Sequence, residues 1–371
     1  MENNNKNNGT KILLILFGAL LLIGLGAGGM YAFVKKYPSI TTINKLEKEV
    51  TVNENGIADA VEKVYDAVAV VEVYQRNTLY ATGTGFIFKK DNNKYYIMTN
   101  YHVVSQGNAV KVVLTDGTSI ETTLVGGDQY IDIAVLSFES DKDLSIAEIG
   151  SSIEARVGDT VFTVGAPVSS QIFSGSVTRG IISGKDRMVS VSTNSNSSSS
   201  DYIMKSIQTD AAINSGNSGG PLCNSNGQVI GITNMKLVTS GVEGMGFAIP
   251  IEDAMEYADN LINGNDTSRP FLGVSMAELA SAQQLYYFYG IRIPDNVEKG
   301  AIVTEVQKDS PAAKSGIEAG DVITAINDKE VGTVAELKYE LYKYKVGDTI
   351  TIRVNHKGQE KNVKVTLIKN Q

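Results

Sequence analysis

The chain has 371 residues, room for two or three domains at roughly 150 residues each. Its 41 Asp and Glu outnumber 33 Lys and Arg, a net charge of −8, so no basic excess exists to neutralise phosphates and nucleic acid is not expected as a partner. A hydrophobic fraction of 42% argues against disorder as the main state, and one Cys with two His leaves no intrachain disulfide and little means for a zinc site, so neither metal nor cofactor is expected.

Residues 1–11 read as a short polar tail. Ile12 to Val34 is a run of 23 residues without a charge, bracketed by Lys11 and by Lys35 and Lys36. As a helix it reaches roughly 34 Å, enough to cross a hydrocarbon core of about 30 Å. A cleaved signal peptide is the main rival, since Ala27-Gly28-Gly29 offers small residues at a cleavage-like spacing. The run is long for a signal core, and a retained single-pass anchor at 12–34 is the reading adopted. The lysines after the run outnumber those before it, which by itself points the C-terminal bulk towards the cytoplasm.

Residues 35–57 read as a polar linker. From Ala58 the pattern changes to short β-type runs between turn residues, among them Val68–Val73, Thr84–Phe88, Tyr95–Met98, Ile133–Phe138, Val161–Val164 and Val229–Ile232. That spacing predicts an all-β barrel or sandwich over 58–262. Within it Ser190–Ser200 is a low-complexity polar stretch expected to be an exposed loop, and residues 252–263 are helical in period. A smaller α+β module at 268–371 follows, with strands near Ala301–Val306, Val322–Ile326, Thr349–Val354 and Asn362–Leu367, and helices at Pro311–Ser315 and near Val334–Tyr344.

The chemistry concentrates in Asn214-Ser215-Gly216-Asn217-Ser218-Gly219-Gly220-Pro221-Leu222. Glycines around one Ser let the backbone turn sharply and approach a ligand, so the loop is suited to hold a nucleophilic hydroxyl together with backbone N–H groups around an oxyanion. The expected oxyanion segment is Gly216, Asn217 and Ser218. A Ser hydroxyl needs a base within hydrogen-bond reach, and the base needs an orienting carboxylate. Of two histidines, His356 lies in a turn, Asn355-His356-Lys357-Gly358, and reads as a surface residue. His102, after the run Ile97–Thr99, is the credible base. Asp132 sits in an apolar strand pattern, Tyr130-Ile131-Asp132-Ile133-Ala134-Val135-Leu136, where a carboxylate is costly unless paired. Cys223 reads as a small buried apolar residue.

TNYHVV around His102, DIAVL from Asp132, TDAAINSGNSGGPL from Thr209 to Leu222, and Gly244-Met245-Gly246-Phe247-Ala248-Ile249-Pro250 together resemble the HtrA family of serine proteases, the DegP/DegS-like enzymes of trypsin fold. Tyr101 and Ser215 depart from residues common in that family. The resemblance implies a trypsin-like double β-barrel protease domain and a small α+β PDZ domain, which with the N-terminal transmembrane helix read above makes a mainly β fold. It implies Ser218 as nucleophile, His102 as base then acid, and Asp132 as the group that fixes the imidazole tautomer.

By similarity to the family, Ala212 lies at the base of the S1 pocket and Ile213, Met235 and Leu237 line it, favouring small or medium aliphatic residues. Arg187 sits where the family places a relay arginine, in a regulatory loop running from about Gly184 to Met204. The second module resembles a bacterial PDZ domain through Asp309-Ser310-Pro311-Ala312-Ala313 and Gly316-Ile317-Glu318-Ala319-Gly320-Asp321-Val322-Ile323, with Phe271-Leu272-Gly273-Val274 resembling the loop that captures a peptide C-terminus. The family implies extracytoplasmic action on unfolded or misfolded proteins from a membrane anchor, as a homotrimer, which outweighs the lysine count. A site-specific protease of stress signalling, and a PDZ-dependent chaperone with weak catalysis, are the alternatives.

Overall fold

A computed structural model describes residues 6–36, 55–165, 175–191, 202–214, 216–234, 244–294 and 296–369. Met235, Leu237, Ser215, most of the expected linker and most of Ser190–Ser200 lie outside them. The chain divides into two compact units, Met1–Asn53 and Glu54–Gln371.

The first unit carries one helix, α1 (Lys6–Lys36). Its stretch Leu13–Ala32 has 20 residues with a mean hydropathy of 2.3, and none of it is buried. Leu and Ile cover every side, so no polar face exists to meet water. By length and composition this helix is a candidate membrane span or signal sequence.

The second unit opens with α2 (Asn55–Tyr65), whose Ala60 and Val64, one turn apart, are buried. Six strands follow, β1 (Val68–Gln75), β2 (Thr78–Asp91), β3 (Lys94–Thr99), β4 (Ala109–Val113), β5 (Ser119–Asp128) and β6 (Ile133–Glu139), with a one-turn helix, α3 (Tyr101–Val104), after β3. They close into a barrel in the order β1-β2-β3-β6-β5-β4. The second barrel is built from β7 (Thr160–Gly165), β8 (Ser176–Val191), β9 (Tyr202–Thr209), β10 (Pro221–Asn224), β11 (Val229–Thr233) and β12 (Gly246–Pro250), closed as β10-β11-β12-β9-β8-β7. Closure leaves no unpaired edge, which suits strands as apolar as these.

Strand β6 shows how the pattern sorts itself. Its side chains alternate between two cores: Ala134, Leu136 and Phe138 join the cluster of the first barrel. Ile133 and Val135 join a larger cluster that includes Phe162 and Ile249 of the second barrel. That larger cluster also takes in Ala60 and Val64 of α2 and Ala254 and Ala258 of α4 (Ile251–Ile262). The barrels are therefore joined by shared apolar packing, and the turns along their seam are held in place from both sides.

The smaller module has its own core, with Ile323, Leu337, Ile352 and Val365 fully or almost fully buried. Its elements are β13 (Pro270–Phe271), β14 (Val274–Glu278), α5 (Ala282–Tyr289), β15 (Ala301–Val306), α6 (Pro311–Lys314), β16 (Val322–Ile326), β17 (Lys329–Glu330), α7 (Val334–Leu341), β18 (Thr349–His356), β19 (Gln359–Thr366) and β20 (Ile368–Lys369). The main sheet runs β14-β15-β16-β18-β19, so β14 lies at its edge, with α7 packed beside it. Helix α7 is fixed at its start by a reciprocal cap: Glu336 N–H donates to Thr333 Oγ1 at 3.1 Å and Gly332 N–H to Glu336 Oε2 at 2.6 Å. Glu278 of β14 adds a third tie, accepting from Val334 N–H at 3.0 Å. The far side of α7 lies against β9 of the second barrel, and a cleft of about 950 Å³ opens there beside Tyr130, Tyr202, Lys205, Asp253 and Tyr342.

Candidate active site

The site is built from backbone ties upward. Asp132 follows β5 and precedes β6, at φ 55°, a left-handed conformation that Asp tolerates better than most residues. The turn brings its carboxylate inward, where it is completely buried. A buried carboxylate must be hydrogen-bonded, and three donors meet it. Oδ1 accepts from His102 N–H at 2.8 Å. Oδ2 lies 2.6 Å from His102 Nδ1 and accepts from Asn234 Nδ2 at 2.9 Å. The Asp132 carbonyl accepts from Asn100 Nδ2 at 2.9 Å and from Tyr101 N–H at 3.1 Å, so the start of α3 is pinned to the same turn.

An ionised carboxylate only accepts, so the Nδ1 proton of His102 belongs to this hydrogen bond, and Nε2 is left with its lone pair. The imidazole is partly exposed, at 27% of its side chain, against 1% for Asp132. The geometry is an imidazole held in one tautomer over a buried carboxylate.

Ser218 comes from the other barrel. It lies between β9 and β10, in a turn where Gly216 has φ 102° and Gly219 has φ 85°. Asn217 N–H donates to Asn214 O at 3.0 Å and Gly220 N–H to Asn217 O at 2.9 Å, closing the turn on itself. Thr233 Oγ1 donates to Asn217 O at 2.5 Å. The turn is also stitched to the first barrel. Thr84 N–H donates to Ser218 O at 2.9 Å and Thr84 Oγ1 to Gly216 O at 2.6 Å. Thr99, three residues before His102, donates through Oγ1 to Thr84 O at 2.7 Å. A Cβ on Gly219 would stand 2.3 Å from both Thr84 O and Thr99 Oγ1, so only glycine allows this approach. Ser218 itself is 5% exposed.

The structure thus gathers His102 and Asp132 from one barrel and the Gly216-Asn217-Ser218 turn from the other onto one seam. Ile213 is buried, and a Cβ on Gly246 would stand 2.6 Å from its Cγ1, so Ile213 packs on the strand that closes the second barrel. Ala212 is exposed, and its carbonyl accepts from Thr178 Oγ1 at 2.9 Å. Arg187 lies within β8, paired with Ser206 of β9, and is exposed. The segment expected as a regulatory loop is thus paired strand at both ends, from Arg187 to Val191 and from Tyr202 to Ser206. In the smaller module Phe271 belongs to β13, Leu272 is buried, Gly273 has φ 84° and Val274 begins β14. Leu272 O accepts from Ala312 N–H at 3.0 Å, which fixes the loop to α6.

Two side chains stand out only in three dimensions. Asn234 reaches Asp132 across 102 residues of sequence. A lone Asn after an apolar strand carries no motif, so only the fold reveals it. His356, expected as a surface turn residue, is instead the last residue of β18, and its Nδ1 lies 2.6 Å from Oδ1 of the buried Asp321. Cys223 is buried, and that burial pushes its thiol pKa up. Among the described residues no three His, Cys, Asp or Glu side chains gather as a metal-binding group.

Two closed six-stranded barrels with a peptide-binding type of module behind them define a serine endopeptidase of trypsin-like fold. Residues 83–232 match the trypsin-like peptidase domain family, and residues 270–367 match the PDZ domain family. Serine protease Do-like HtrB of Bacillus subtilis (strain 168) is 41% identical over 333 residues, covering 85% of this chain and 72% of the relative. Serine protease Do-like HtrA of Lactococcus lactis subsp. cremoris (strain MG1363) is 35% identical over 360 residues, covering 89% and 87%. Among solved structures, the serine endoprotease from Yersinia pestis superposes with a TM-score of 0.63 at 29% identity, over 85% of this chain and 98% of that one. The HtrA-type protease AlgW with decapeptide superposes with a TM-score of 0.63 at 30% identity, over 85% and 99%. The chain belongs to the HtrA, or Do-like, family of serine proteases.

Proposed function

We propose that the chain is a membrane-anchored, extracytoplasmic endopeptidase that degrades unfolded or misfolded proteins, with His102, Asp132 and Ser218 as its catalytic triad. The observation that carries this is the buried Asp132 carboxylate, which receives His102 Nδ1 at 2.6 Å while the Ser218 turn is tied to the same loops. His102 Nε2 takes the proton of Ser218 Oγ as that oxygen attacks the scissile carbonyl. Asp132 stabilises the imidazolium, which then protonates the leaving amine. The oxyanion is stabilised by backbone N–H groups of the Gly216–Ser218 turn, with Asn217 between the two outer residues holding its shape.

Ile213, together with Met235 and Leu237, forms the S1 pocket in this reading, and Arg187 relays the state of the β8–β9 region. The loop Phe271-Leu272-Gly273-Val274 takes a peptide C-terminus, and the peptide adds as a strand to the edge of β14. The apolar helix Leu13–Ala32 supports the anchor, at about 1.5 Å per residue across a core of about 30 Å. Probable periplasmic DegP-like endoproteases, such as that of Pseudomonas putida (strain W619) at 36% identity, support action outside the cytoplasm. A homotrimer is proposed on family grounds alone.

Labelling with a fluorophosphonate tests the centre of the proposal. Wild type is expected to take one label on Ser218, and Ser218→Ala none. Equal labelling of both, or equal casein degradation by both, would overturn it.

A further inference from the structure

Helix α5 (Ala282–Tyr289) ends in Tyr286-Tyr287-Phe288-Tyr289, and all four side chains face solvent, at 56%, 74%, 80% and 75% exposure. One residue, Leu285, anchors this turn, at 8% exposure, packed with Ile302 and Val322. The end is sharply fixed. Gly290 has φ 67° and donates to Tyr286 O at 3.1 Å, and Ile291 N–H donates to Leu285 O at 3.3 Å, a left-handed helix stop. The aromatics are therefore held out on a rigid turn.

Four consecutive helical residues step through about 300° at roughly 100° each. A protein groove takes one face of a helix, spaced i, i+3, i+4; it cannot shield side chains pointing nearly all round. A bilayer interface can, because it is deformable and surrounds what enters it. The composition fits that medium. Three of the four rings are tyrosines, which pair an apolar body with a hydroxyl and prefer the headgroup level. From Leu279 to Ile291 the chain carries no charge at all, so nothing there recognises an acidic or basic partner. The same chain holds a second element without a polar face, the helix Leu13–Ala32.

We propose that the end of α5 is an interfacial foot, which inserts Tyr286, Tyr287, Phe288 and Tyr289 into the headgroup region of a lipid bilayer. This rests on reading Leu13–Ala32 as a retained anchor, which delivers the second unit to the bilayer surface. Binding by an uncharged aromatic turn depends little on anionic lipid or on salt.

The chain has no Trp, so Phe288→Trp introduces a sole indole at the foot. The full-length variant is reconstituted into phosphatidylcholine vesicles with bromine near the headgroup end or near the methyl end of the acyl chain. Expected is flotation with the vesicles and at least about twofold stronger quenching by the shallow bromine, unchanged at high salt. Flotation without quenching would overturn the foot and leave the anchor standing. No flotation would overturn both. A full chain with all four aromatics changed to Ser should still float; if it does not, the anchor reading, on which delivery of the foot rests, fails. An indole that is blue-shifted but unquenched, and that returns to a solvent-exposed emission on dilution, would assign the turn to a second copy and overturn the proposal. Shielding of the indole by added unfolded polypeptide, but not by lipid, would overturn it in favour of substrate capture.

Discussion

Arg269 donates from Nε to Oδ2 of Asp128 at 2.6 Å, joining the first strand region of the PDZ domain to the turn that presents Asp132. The other oxygen, Oδ1, accepts from Tyr130 N–H at 2.7 Å and Ile131 N–H at 3.1 Å. The Arg269 guanidinium also lies 5.1 Å from the Tyr342 ring centre, and Tyr342 sits 4.8 Å from Tyr130. Asp132 is the next residue after Ile131. The conformation of the aspartate turn and the seating of the PDZ domain are thus held by one carboxylate.

This pair predicts an order of severity. Arg269→Ala leaves Asp128 its two backbone donors. Asp128→Ala leaves both half-buried N–H groups and the guanidinium without this partner, and these losses together cost more than removing the arginine alone. Asp128→Ala should therefore lower kcat more than Arg269→Ala, while both speed proteolytic nicking at residues 263–268. Equal kcat for the two variants would disprove the coupling of turn and domain.

Asn234 is expected to act as a positioning residue. Removing its amide takes one of three donors from a buried carboxylate, worth about 1–2 kcal/mol, or roughly tenfold in kcat. Asn234→Ala should lower kcat with KM nearly unchanged, and the fluorophosphonate labelling rate should fall with it. A change confined to KM would refute this role.

Asp132→Asn removes the acceptor that keeps the proton on His102 Nδ1. An amide offers one accepting oxygen for donors that now meet two atoms, so the ring turns to the other tautomer. The expected loss is about 10⁴ in kcat, the size this change has at triads of this kind. The melting temperature should move by only a few degrees, which separates a catalytic effect from unfolding.

Glu252, at the start of α4, gives a prediction in pH. Burial raises its pKa, but hydrogen bonds from Ser151, Ser152 and Ile153 outweigh that and hold it below the ordinary Glu range. A depressed folded-state pKa means stability that is fully present above the unfolded value and is lost as pH falls through the folded one. Glu252→Gln should therefore melt below wild type at neutral pH, with the gap closing as pH drops under about 4. A gap that stays constant into acid would rule out the charged form as the source.

Gly273→Ala tests the loop proposed to bind peptide C-termini. At φ 84° a side chain is strained by about 1–2 kcal/mol, and a Cβ there would stand 2.2 Å from the Ser310 Cβ. The variant should lose affinity for C-terminal peptides at least tenfold, measured by fluorescence anisotropy, while labelling of Ser218 without added peptide stays within about twofold.

The strands most legible in the sequence are those buried on both faces. The run from Ile133 is apolar apart from Ser137 because its alternate residues feed two cores, and its start follows from that run. Val322–Ile326 is recovered to the residue for the same reason, and Ala301–Val306 through its fully buried first half. Strand β8 is harder to see. Most of its residues are exposed or half-buried, so the hairpin with β9 resembles a loop in composition. Helix α5 is hidden because one buried residue, Leu285, makes no periodicity, and its aromatics favour strands by propensity. At the site, the scarcity of histidine and the family-like motifs around Asp132 and Ser218 single out the residues proposed as the triad, and the structure brings His102 and Asp132 together. Asn234, and the pairing of His356 with Asp321, depend on contacts between distant strands that no local pattern encodes.

The hydrogen bond from Thr84 to Ser218 crosses the seam between the barrels. It gives the enzyme a safeguard in time. Of the proposed triad, the first barrel, completed early in the chain, supplies His102 and Asp132, and the second supplies Ser218. On that proposal a half-folded chain is hydrolytically silent, and cutting power arrives only when both halves have folded and met. The proposed triad is in this way assembled only once both barrels are in place.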